Sequence, residues 1–150
     1  MLQYVRFSKD LRRIARELGA NVKGAKRAGM ISLVEEIEAR GVKHAPVRTS
    51  DLANSITSDV NQDGSEGRVK ATAKHARYVH EGTGIYGYYK KRFTILPKKK
   101  KALFWPGGKH PVKKVIQEGI RPNPFFKKAL KEIRPADVFE KGVKEFLKRR

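Results

Sequence analysis

The sequence predicts an α+β domain: N-terminal helices, an antiparallel sheet with a long β-rich arm, and C-terminal helices. Two observations carry that expectation. Apolar residues recur at helical spacing toward both ends of the chain but alternate in its middle, and the alternating runs are separated by clusters of Gly, Pro, Asn and Asp. A length of 150 residues suits one core, which on folding buries about 70% of the surface of the unfolded chain. The expectation is therefore a single domain over 1–150, with an inserted arm at 85–118.

The first helix is expected after Ser8, because Leu11, Ile14, Ala15 and Leu18 share a face and Asp10 offsets the positive helix terminus. Gly19 ends it. A second helix is expected from about Val22 to Arg40, with Met30, Leu33, Val34 and Ile37 on one side, Glu35, Glu36 and Glu38 largely on the other, and Gly41 as its stop. Pro46 then biases Ala45 toward extended backbone, and Thr49 or Ser50 is placed to cap a brief helical turn through Asn54.

From Ser55 the period becomes two. Ile56, Ser58 and Val60 share one face, as do Val69, Ala71 and Ala73, and the turn-rich segment Asn61–Gly67 between them predicts an antiparallel hairpin. His75–Glu81 reads as a helical turn closed by Gly82-Thr83-Gly84. The arm from Ile85 to Glu118 interleaves tyrosines with lysines and holds short apolar runs at Phe93–Leu96, Ala102–Trp105 and Val112–Ile116, bounded by Pro97, Pro106, Gly107, Gly108 and Pro111. Pro122-Asn123-Pro124 opens a helix carrying Phe126, Ala129, Leu130 and Ile133. Pro135 starts a last helix that offers Phe139, Val143, Phe146 and Leu147 to a core or a partner.

Composition excludes several classes. There is no cysteine, hence no disulfide framework and no thiolate metal site. Charge in Met1–Asp10, and the lack of a run of about 18 apolar residues, argue against a secretory leader or a membrane span and for a cytoplasmic site of synthesis. The net charge of +20 draws nucleic acid, anionic membranes or acidic proteins alike, but it is uneven. Residues 1–83 carry 15 Lys/Arg against 10 Asp/Glu, whereas residues 84–150 carry 20 against 5. A basic tail serving only solubility is the plain alternative to a polyanionic or acidic partner.

No catalytic constellation is visible. Gly82–Gly87 has the glycine spacing of a dinucleotide-binding turn but lacks the strand before it, the helix after it and the acid about 20 positions on, so a flexible turn is the expectation. His75 and His80 stand five apart, about 140° around a helix, unlike a helical zinc pair; His44 and His110 add no cluster. Ser50 and Ser65 lack a nucleophile elbow. Catalytic, cofactor and metal residues are accordingly expected to be absent. Tyr86, Tyr88, Tyr89 and Phe93 beside Lys90, Lys91 and Arg92 fit either stacking on a single nucleic-acid strand or an assembly interface. The interface is the favoured reading, with Phe104, Trp105, Phe139 and Phe146 added to it.

The segment Ala45-Pro46-Val47-Arg48-Thr49-Ser50-Asp51-Leu52 resembles the Ala-Pro-x-Arg-Thr-Gly-x-Leu pattern of the tail-completion (neck) protein family of long-tailed phages, of the minor tail protein Z-like kind. Ala76–Thr83 looks like that family's Tyr-Val-Glu-x-Gly-Thr segment, Gly119–Leu130 like its Pro-Phe helix start, and Ile95–Gly108 like its variable arm, so the resemblance spans about residues 8–133. Ser50 stands where the pattern has glycine, which disfavours a positive φ there, and the acid of the second block has moved to Glu81, next to the glycine. The resemblance implies a non-enzymatic virion protein made in the host cytoplasm and free of membrane. It further implies a ring-like homo-oligomer in the neck that meets neighbouring neck and tail proteins and joins the finished tail to a DNA-filled head. The basic arm then faces either an acidic ring or DNA in the channel. A basic nucleic-acid-binding module is the rival function.

Overall fold

A computed structural model describes residues 2–6, 22–46, 50–98 and 101–149. The helix expected over Ser8–Gly19 lies outside them. The chain divides into two compact units, one comprising Met1–Ala76 with Pro124–Arg150 and the other Arg77–Asn123.

The first unit is built on α1 (Val22–His44), whose buried side chains include Met30, Leu33, Val34 and Ile37 at the expected one-face spacing. Its end differs from expectation. The helix runs through Gly41 to His44, because Gly41 is a contact surface here: a Cβ at this position would lie 3.2 Å from the Phe126 ring and 3.9 Å from Ile56. Pro46, which disfavours helical backbone at the preceding residue, follows where the helix stops. Then comes α2 (Asp51–Asn54), with Ser50 before it at φ 57°, in the left-handed region. Serine thus adopts the positive φ that its substitution for glycine disfavours. Its side chain makes no capping hydrogen bond; the Ser50 carbonyl instead accepts from the Asn54 amide at 2.9 Å.

The expected hairpin is present as β2 (Ile56–Val60) and β3 (Glu66–Ala71), antiparallel with Ile56 opposite Ala71 and Val60 opposite Gly67. Its inward residues Ile56, Val69 and Ala71 are buried. A strand that the periodicity does not reveal, β1 (Leu2–Arg6), pairs antiparallel on the other edge of β3, giving the order β1-β3-β2. α1 packs against β2 and β3, and also against the two C-terminal helices α4 (Phe125–Lys131) and α5 (Pro135–Lys148). Phe125, Phe126, Phe139 and Val143 complete this core at 1% exposure or less.

In the second unit α3 (Ala76–Glu81) leads through a 3-10 turn at Gly84–Tyr86 into β4 (Phe93–Ile95), which pairs antiparallel with β5 (Val115–Gln117), Thr94 opposite Ile116. The expected strand at Ala102–Trp105 reduces to one bridge between Leu103 and Val112, held by two backbone hydrogen bonds of 2.8 and 3.0 Å. Pro106 and Pro111 lie on the turn side of that bridge, where the chain passes through Gly107 and Gly108. No helix among the described residues is long and apolar enough to cross a membrane.

Candidate assembly interface

The root of the arm is a backbone clamp. The Thr83 amide donates to the Ile120 carbonyl at 2.9 Å, the Ile85 amide to the Glu118 carbonyl at 2.8 Å, and the Ile120 amide to the Thr83 hydroxyl at 3.0 Å. Here glycine is required. Gly84 and Gly119 have φ values of +63° and +108°, and a Cβ on either would lie 2.0 Å from the opposite backbone, at the Glu118 and Thr83 carbonyl oxygens respectively. The glycine-rich segment expected to be a flexible turn is therefore a fixed closure that brings both ends of the arm together.

Above the clamp the arm leaves apolar surface uncovered. Of 13 large apolar or aromatic residues exposed among the described ones, 11 lie in the second unit, a concentration beyond the single scattered apolar residues of an ordinary surface. Tyr88 and Tyr89 are 93% and 81% exposed and meet edge to face, with ring centroids 5.3 Å apart. The Arg121 guanidinium lies 5.3 Å from the Tyr86 ring centre, within cation–π range. Phe93, Phe104 and Trp105 are exposed as well. The interface residues named from sequence thus share the second unit, except for Phe139 and Phe146. Phe139 is 1% exposed inside the first unit's core, which leaves it no surface to offer a partner, and Phe146 on α5 is half-buried.

Positive charge is concentrated in the same unit. Residues 77–123 hold 12 Lys/Arg and two glutamates. Both glutamates are matched within the unit, Glu81 by Arg77 at 2.9 Å and Glu118 by Arg92 at 2.8 Å, so the unit presents an excess of ten positive charges. The Glu81 carboxylate, hydrogen-bonded to Arg77, raises that guanidinium above its ordinary pKa. Between these pairs lies a concavity of about 480 Å³, walled by Tyr78, Tyr88, Tyr89 and Phe93 and edged by Lys91 and Arg92. Tyr78, Ile95, Leu96, Ile116 and Ile120 were not singled out from sequence, although all are exposed. The signal that finds them is the clamp, since only its closure shows that these runs have little beneath which to hide.

The histidines take separate roles. His44 Nε2 lies 2.6 Å from Glu132, which also accepts from Arg40 at 3.0 Å, while His80 is buried and His75 and His110 are exposed. Among the described residues no group of three or more His, Cys, Asp or Glu could hold a metal.

Residues 5–82 match the model of a family described as "Bacteriophage HK97-gp10, putative tail-component". The matched stretch is 78 of the 150 residues and ends where the arm begins. No curated protein and no solved structure matches the chain.

Proposed function

Because the chain belongs to the HK97-gp10-like family of bacteriophage tail components, we propose that it acts in the neck as a tail-completion protein, of the minor tail protein Z-like kind. In that role it oligomerises and joins the finished tail to the DNA-filled head, as a structural part and not as an enzyme. The observation that carries this reading is the second unit, the clamped arm and its root, with 11 exposed large apolar residues among ten excess positive charges. Aromatic side chains supply much contact area at small conformational cost, and surrounding cations select acidic neighbours and speed encounter.

The test is complementation of a phage lacking this gene. Residues 86–116 are replaced by a short glycine linker, which the clamp permits because Ile85 and Glu118 are already hydrogen-bonded neighbours. The expected result is full heads and free tails by electron microscopy, with no joined particles; joined, infectious virions at normal yield would falsify the proposal.

Binding to nucleic acid is the second reading, favoured by the exposed Tyr88 and Tyr89 beside Lys90 and Lys91. Salt separates the two. Phosphate contacts release counterions, so affinity falls steeply as salt rises, whereas a contact centred on aromatic burial persists at moderate salt.

A further inference from the structure

Resting on the assembly reading above, we infer that the concavity at the arm's root receives the acidic outer stripe of α1 from a second copy of this chain, joining copies head to tail. The receiving surface is an aromatic floor of Tyr78, Tyr88, Tyr89 and Phe93 with Lys91 at its edge and Lys90 next to Lys91 in the chain. Its own glutamates are matched by Arg77 and Arg92, so the remaining charge calls for carboxylates from outside the unit. A complementary ligand presents apolar groups and acids together on one rigid face.

Such a face exists on this chain, despite its overall charge of +20. Residues 28–66 hold seven Asp/Glu against three Lys/Arg. Within them Ile31, Glu35, Glu38 and Val42 follow one another at steps of four, three and four, which aligns them along α1 on a side other than the core face of Met30, Leu33, Val34 and Ile37. Glu35 and Val42 are exposed, and Ile31 and Glu38 are half-buried. Glu36 differs, being bound to Arg40 at 2.7 Å. The stripe is about 16 Å long, with an apolar residue at each end and two carboxylates between.

The contact uses different surfaces on the two copies, so repeating it head to tail builds a ring or a filament. A nucleic-acid strand satisfies the cations and rings of the arm but makes no use of the acidic stripe. The second copy satisfies both surfaces at once.

Sedimentation of the nuclease-treated full chain at low salt tests the inference. Wild type is expected to associate with rising concentration. Lys90→Glu with Lys91→Glu, and separately Glu35→Lys with Glu38→Lys, should each weaken association at least tenfold, while the chain carrying all four changes recovers it. These four positions leave the Arg77–Glu81 and Arg92–Glu118 pairs intact, and unchanged circular dichroism confirms folding. A wild-type chain that stays monomeric at every concentration, a fourfold variant that fails to recover, or association that nuclease abolishes overturns the head-to-tail contact. None of these outcomes touches the complementation result with the arm-less chain, so the neck assignment stands or falls separately.

Discussion

Gly29 lets the Phe139 ring lie directly on α1: a Cβ there would lie 2.8 Å from the ring's Cδ2 and Cε2 and 2.9 Å from its Cζ. Gly29→Ala is therefore expected to cost about 1–3 kcal/mol through overpacking, despite alanine's better helix propensity. Urea unfolding measures it, and in a Phe139→Leu background the cost should shrink, since the clash is with that ring. Glu132 makes a second residue-scale prediction. Its hydrogen bond from Arg40, followed by that with His44, holds the carboxyl below its ordinary value of 4.5. A depressed folded-state pKa means stability that is present above the ordinary value and is lost as pH falls through the folded one. The stability gap between wild type and Glu132→Gln should accordingly narrow as pH drops below about 4.5, and a gap that widens on acidification contradicts the assignment. Neither contact is legible in the sequence. Glu132 lies 92 positions from Arg40 and 88 from His44, and nothing local ties them.

Among the elements, the hairpin and the helix faces follow from periodicity, because burial on one side forces a period of two on a strand and about 3.6 on a helix. The local signals at element ends were less faithful. Gly41 reads as a stop but serves the approach of Phe126, and Ser50 reads as a cap but takes up a left-handed turn. In both cases the deciding partner or constraint comes from the folded context rather than from adjacent residues. The arm's root shows the same point in reverse, since Gly84 and Gly119 lie far apart in sequence yet need each other's backbone. Gly84→Ala should open the clamp and leave the first unit folded. Hydrogen exchange at the Thr83, Ile85 and Ile120 amides should then rise strongly while amides of α1 keep their protection; protection retained at all three would show that the clamp tolerates a side chain.

At the scale of the molecule, charge and apolar exposure converge on one segment. Residues 86–116 contain ten Lys/Arg and no Asp/Glu, so the arm-less chain carries +10 in place of +20. It should elute far earlier from a cation exchanger and keep the unfolding midpoint of the first unit, whose core of Phe125, Phe126, Phe139 and the α1 face contains none of the removed residues. A large loss of that midpoint would mean that the arm is part of the fold and not an appendage. The sequence by itself determined the α+β class, the long helix, the hairpin and the C-terminal helices, the uneven charge and the likeness to phage tail components, because these depend on composition, on spacing along one element and on local motifs. Tertiary structure alone decided that β1 closes the sheet, that Phe139 is core while Tyr88 is surface, and that two distant glycines lock the arm. The physical reason is that burial and backbone closure are properties of pairs brought together across the chain, and a linear pattern records each member without its partner.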